Sequence, residues 1–123
     1  MSGTSVLLDT NIVLYLLAGD KTLAAMLNDK EVFVSFITEM ELLSYKNMSA
    51  AEEKSIRDFL DSTIIIDLEP PVKQKAIAIR KDSRLKLPDS IIAASSLQLN
   101  IPLLTADSDF KQVRSLDYVQ YEK

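Results

Sequence analysis

Val6-Leu7-Leu8-Asp9-Thr10-Asn11 is the stretch whose reading decides the fold. A short apolar run that ends abruptly in turn-forming polar residues reads as a buried strand. Asn11 to Leu17 then reads as a helix, with Asp9 or Thr10 as its cap and Gly19 as its stop signal. The same alternation continues outward. Val32 to Ser35, Thr63 to Asp67, Leu103 to Thr105 and Tyr118 to Tyr121 read as further strands. Between them lie helical stretches at Thr22–Leu27, Thr38–Tyr45, about Ala50–Leu60, Val72–Ser83 and Pro88–Leu99. Ser49-Ala50-Ala51-Glu52 is a capping-box pattern, and Asn100 caps the last helix. Strands alternating with helices predict an α/β fold, a parallel five-stranded sheet flanked by helices.

Composition bounds the rest. A chain of 123 residues, 47% hydrophobic and 26% charged, is expected to be a single globular domain over residues 1–123, ordered from about 5 to 121. With no Cys and no His, disulfides and thiolate or imidazole metal sites are excluded. Zero Cys fits a reducing compartment, so a cytoplasmic location is the expectation. The apolar stretch Val6–Leu17 is interrupted by Asp9-Thr10-Asn11 and has no basic residue before it, so it reads as neither a signal peptide nor a membrane span. The net charge of −4 argues against a general nucleic-acid coat protein. It leaves room for a nuclease that presents a local basic strip to phosphates. Lys73, Lys75, Arg80, Lys81, Arg84 and Lys86 form such a strip, which also reads as a solvated helix face.

Any chemistry must therefore use carboxylates, hydroxyls, amides and cations such as Lys and Arg. Four acids stand out. Asp9 closes the first strand, Glu41 lies inside an apolar helix pattern, Asp89 opens a helix and Asp107 follows the fourth strand. In open α/β sheets, sites form outside the carboxyl ends of the strands, an edge all four can reach. Each acid taken singly also has a plain reading, as a cap, a turn former or a partner of a helix dipole. Glu41 is harder to place so, being flanked by Met40, Leu42 and Leu43, whereas Glu39 is expected to be the solvated one. If the four cluster, two carboxylates about 4 Å apart repel by roughly 4 kcal/mol at an effective dielectric near 20. Such a group holds together only if some members are protonated or a cation sits among them. Oxygen-only acids suit hard cations such as Mg²⁺ or Mn²⁺.

Four ordered motifs resemble those of PIN-domain nucleases, above all the VapC toxins of type II toxin–antitoxin pairs. They are Asp9-Thr10-Asn11; Ser35, Thr38, Glu41 and Leu42; Pro88-Asp89-Ser90-Ile91-Ile92-Ala93-Ala94; and Thr105, Asp107 and Phe110. Each is weak alone, and four in order along nearly the whole chain are strong. Ser90 stands where the family commonly has Ala; both are small. The resemblance implies that Asp9, Glu41, Asp89 and Asp107 are catalytic and gather around Mg²⁺ or Mn²⁺, with Asn11 and Thr105 as polar supports and Asp109 as a looser extra acid. It implies metal-dependent endonucleolytic cleavage of RNA, leaving 3′-hydroxyl and 5′-phosphate ends. Arg80, Arg84 and Lys86 are the expected contacts to RNA phosphate. It also implies a homodimer and a cognate antitoxin, whose helix would lie in an apolar groove near Ile12, Tyr15, Leu16, Met40, Leu43 and Tyr45. The alternative is a non-catalytic PIN-like module that binds RNA or protein, whose mark would be a broken acidic quartet. Receiver and phosphatase domains also place Asp at strand ends. A dehalogenase-type site would want Asp-x-Asp near the first strand, and a receiver adjacent acids there with a Lys-Pro pair after a late strand. The first strand ends in Asp9-Thr10-Asn11 instead, and no Lys-Pro pair follows a late strand.

Overall fold

Ser5–Leu8 (β1) runs along the middle of the sheet, and everything else is arranged around it. The computed structural model describes residues 4–123; Met1–Gly3, part of the expected domain, lie outside the described residues. The other elements are Thr10–Leu17 (α1), Lys21–Leu27 (α2), Glu31–Ser35 (β2), Phe36–Leu43 (α3), Ala50–Asp61 (α4), Ile64–Ile66 (β3), Pro70–Asp82 (α5), Leu87–Leu99 (α6), Leu103–Thr105 (β4) and Tyr118–Gln120 (β5). A 3-10 helix, Ser108–Gln112, precedes β5. The sheet is parallel throughout, in the order β3-β2-β1-β4-β5. Leu8 pairs with Val34 on one side and Leu104 on the other.

Successive strand residues point to opposite faces, so β1 feeds two cores. Leu7 packs with Leu103, Ile79, Ile92 and Phe110 beneath α5 and α6. Val6 and Leu8 pack with Ile12, Val34, Leu42, Ile56 and Leu60 beneath α1, α3 and α4. That double burial explains why β1 is apolar at every position after Ser5. Helix α6 is buried over most of its circumference, and its small residues Ala93, Ala94, Ser95 and Ser96 permit it. The hydroxyls of Ser90 and Ser95 are satisfied by the carbonyls of Lys86 and Ile91 one turn back.

The end signals act as the sequence implies, while several element bounds shift by one or two residues. The Ser49–Glu52 capping box forms in both directions, and Asn100 ends α6 at φ 55. Helix α3 starts at Phe36 rather than Thr38, because Ser35 ends the strand and also caps the helix, accepting from the Ile37 N–H. The 3-10 helix has no counterpart in the sequence reading. Among the described residues no helix is long and apolar enough to cross a membrane.

Candidate functional site

The chain leaves β1 toward β2 on one side and returns through β4 on the other, so the strand order reverses between β1 and β4. A crevice opens at the carboxyl ends of strands at such a point. Asp9 follows β1 and Asp107 follows β4 at that place. Asp9 is the N-cap of α1: its Oδ1 accepts from the Thr10 N–H at 2.9 Å. Its Oδ2 accepts from the Thr105 hydroxyl at 2.7 Å. The Thr105 oxygen in turn accepts from the Asp107 N–H at 3.0 Å. Asp107 caps the 3-10 helix, its Oδ1 accepting from the Asp109 N–H. The cap readings of Asp9 and Asp107 are thus correct, and they coexist with a shared site.

A cavity of about 400 Å³ is lined by Asp9, Thr10, Asn11, Glu41, Ser44, Tyr45, Asp89 and Asp107. All four singled-out acids face it. Asp89 arrives from the first turn of α6 and Glu41 from the last turn of α3. Glu41 is exposed while Glu39 is half-buried, the reverse of the sequence expectation. Apolar neighbours in sequence did not bury Glu41, because the face of α3 that carries it opens on the cavity. Its Oε1 accepts from the Thr10 hydroxyl at 2.5 Å, and Thr10 also meets the buried Thr38 hydroxyl at 2.9 Å.

Electrostatics mark the acids as one group. Burial, then the charges of Asp9, Asp107 and Glu41, push the Asp89 carboxyl up to about 6, against a small opposing pull from Lys86. Asp9 is also raised, chiefly by burial and further by Asp107 and Glu41, although its bonds from Thr105 and Thr10 favour the charged form. The donors are all oxygen, which fits a hard divalent cation rather than zinc held by nitrogen or sulfur. Among the described residues no three acids are grouped closely enough to hold an ion as they lie.

The supporting residues divide. Asn11 lies in the cavity wall, whereas Thr105 is buried behind Asp9. None of Arg80, Arg84, Lys86 and Asp109 lines the cavity. Lys86 is near enough to lower the Asp89 pKa. The Arg80 guanidinium donates to the Leu85 carbonyl at 2.6 Å, and Arg84 donates its backbone N–H to Gln112 Oε1. Sequence reading missed Thr10 and Ser44 as cavity residues and gave Thr38 no role. The spacing of Thr38 and Glu41, three apart on one helix face, was the available signal.

A second cavity, also about 400 Å³, adjoins the first through Tyr45; Leu14, Leu17, Met48 and Ile56 line it together with the polar Lys46, Asn47, Glu52 and Ser55. Of the residues expected to form an apolar groove, only Tyr45 lines it. Ile12 is 0% exposed and belongs to the core. Tyr15 is half-buried, with its ring 6.4 Å from that of Tyr121. The helical period carries Leu14 and Leu17, not Ile12 or Tyr15, to this face.

The PIN domain family model matches residues 6–116. No curated protein sequence matches the chain. Among solved structures, a chain of a toxin–antitoxin complex from Klebsiella pneumoniae is 29% identical, with a TM-score of 0.82 over 96% of this chain and 99% of that one. VapBC2 from Rickettsia felis, bound to a promoter DNA fragment, gives 19% identity and 0.79 over 96% and 99%. VapBC-1 from nontypeable Haemophilus influenzae gives 20% and 0.74 over 97% and 99%. The last two likenesses speak to the fold alone.

Proposed function

The chain belongs to the PIN domain family, and from that premise we propose that it is a Mg²⁺- or Mn²⁺-dependent endoribonuclease, the toxin of a VapBC-type toxin–antitoxin pair. One observation carries the reading. Asp9, Glu41, Asp89 and Asp107, far apart in sequence, line one cavity, where burial and the other three charges push the Asp89 carboxyl up to about 6. A fold gains nothing in stability from that repulsion, which is the mark of a site built for a counter-charge. The toxin role is supported by the likeness to a chain of the Klebsiella pneumoniae toxin–antitoxin complex. In this reading the protein works as one cytoplasmic domain over residues 1–123, forms a homodimer and is silenced by an antitoxin.

Asp9, Glu41, Asp89 and Asp107 would hold the cation. When bound, it supplies charge neutralisation and a more acidic water for attack on phosphorus. The chain's own residues do the rest. Thr105 and the Thr10 N–H fix both oxygens of Asp9, so its carboxylate is oriented before anything binds. Asn11 offers an amide at the cavity wall to a water or a phosphate oxygen. Lys86, with Arg80 and Arg84, would contact the RNA backbone, positioning the strand without reading its sequence. Water attacks phosphorus and the 3′ oxygen leaves with a proton, giving 3′-hydroxyl and 5′-phosphate ends.

The test is cleavage of a mixed transfer, ribosomal and messenger RNA panel by antitoxin-free protein with Mg²⁺, Mn²⁺ or EDTA. Cutting that needs the metal and disappears in Asp9→Asn supports the reading. A folded wild-type protein that neither cuts nor binds Mn²⁺ would turn it toward a non-catalytic binding module.

A further inference from the structure

We propose that Thr38 is a positioning residue for Glu41, acting through Thr10; the inference rests on the cation-dependent nuclease reading above. Thr10 Oγ1 lies 2.5 Å from Glu41 Oε1 and 2.9 Å from Thr38 Oγ1. A hydroxyl has one proton to give, and an ionised carboxylate can only accept. The Thr10 proton therefore goes to Glu41. The Thr10–Thr38 contact then has one workable direction, with Thr38 donating. The chain of donation runs Thr38 to Thr10 to Glu41.

Burial gives the relay its effect. Thr38 is 0% exposed and Thr10 is 8% exposed, while Glu41 is exposed and, unrestrained, would swing about three rotatable bonds. In a water-poor setting, a hydroxyl that accepts a hydrogen bond becomes a better donor. Thr38 thus strengthens the charge-assisted bond that holds Glu41 toward the cavity. Thr10 directly follows Asp9 and opens α1, whereas Thr38 and Glu41 sit three apart on α3. The relay therefore also fixes the spacing between the elements that carry two of the acids.

Calorimetric titration of Mn²⁺ into purified protein tests this without reference to cleavage. Thr38→Val keeps the shape and removes the hydroxyl. Removing an orienting partner of a ligand typically weakens metal binding about 10–100-fold, so a group one bond further out is expected to cost about 3–10-fold. Thr38→Ser is expected to restore binding, and Thr10→Val to weaken it more than Thr38→Val. In a Glu41→Ala background, Thr38→Val is expected to have no further effect, since its route to the cation is gone. Unchanged affinity in Thr38→Val overturns the relay, as does a loss that persists in full beside Glu41→Ala. If Thr38→Val does not fold, Thr10→Val and Thr38→Ser decide: normal affinity in Thr10→Val overturns it. Wild-type protein with no Mn²⁺ affinity overturns the nuclease reading and the relay together; wild-type binding with an indifferent Thr38→Val overturns the relay alone.

Discussion

Thr105 donates its hydroxyl to Asp9 Oδ2 at 2.7 Å, joining residues 96 positions apart in the chain. The bond crosses from the end of β4 to the end of β1, where the strand order reverses. It favours the charged form of a carboxyl that burial pushes the other way. Thr105→Val is therefore expected to weaken Mn²⁺ binding by about 10–100-fold, as removal of an orienting partner does. Thr105→Ser should restore most of it. Equal affinity in the Val variant, read by calorimetry, would remove Thr105 from the site.

Asp9→Asn separates charge from capping. Asn caps a helix about as well as Asp, so the α1 start should survive. Losing an orienting partner already costs up to about 100-fold in activity, so cleavage should fall at least that far on losing a primary acid. Without metal the melting temperature should hold or rise, because a desolvated charge leaves a repelling group. Circular dichroism showing an unfolded variant would instead make Asp9 a structural residue first.

The acids also set a pH signature. The Asp89 carboxyl rises from an ordinary 3.8 to about 6 in the folded chain. The folded state then binds that proton more tightly than the unfolded state. This contribution to stability is fully present below the ordinary value and is lost as pH rises toward about 6; Asp9 acts in the same direction. Asp20 and Glu52, lowered by backbone N–H donors, have the opposite sign at lower pH. The readout is therefore a difference: in EDTA, Asp89→Asn should melt like wild type near pH 4 and above it near pH 7. A gap that does not widen with pH would show that neither burial nor the other acids raise the Asp89 carboxyl.

Among the basic residues, Lys86 should matter most to RNA. Lys86→Ala should lower affinity for single-stranded RNA and reduce the slope of log K against log salt by about 0.7, the release of one counterion. Arg80→Ala should also lower the melting temperature, since its guanidinium holds the Leu85 carbonyl. An unchanged salt slope in Lys86→Ala would place the RNA path elsewhere.

Phe110 is 0% exposed and anchors the turn that carries Asp107. Phe110→Ala should cost about 3–5 kcal/mol of stability in denaturant titration. A cost within about 0.5 kcal/mol would contradict its place in the core.

Much of this was legible in the chain. β1 declares itself because both its faces are buried, and the Ser49–Glu52 box and Asn100 are local signals that the fold obeys. The 3-10 helix was not legible, since five residues show no period. Glu41 was misjudged in exposure because apolar sequence neighbours describe a helix's other faces, not the one it shares. The link from Thr10 to Thr38 spans 28 positions, and no local pattern encodes such a contact. The four acids singled out in the sequence do line one cavity. Asp9, Asp107 and Asp89 stand at strand ends and a helix start, where an α/β sheet opens its crevice, while Glu41 reaches it from the last turn of α3.

The order of the strands also governs when the site can exist during synthesis. β1 is made early, yet the neighbour that completes the Asp9 environment is β4, followed by the turn bearing Asp107. A nascent chain halted before Thr105 carries Asp9, Glu41 and Asp89 but lacks the hydroxyl that aligns the first and the acid that closes the set. The cavity is thus assembled only once β4 and the turn that follows it have been made.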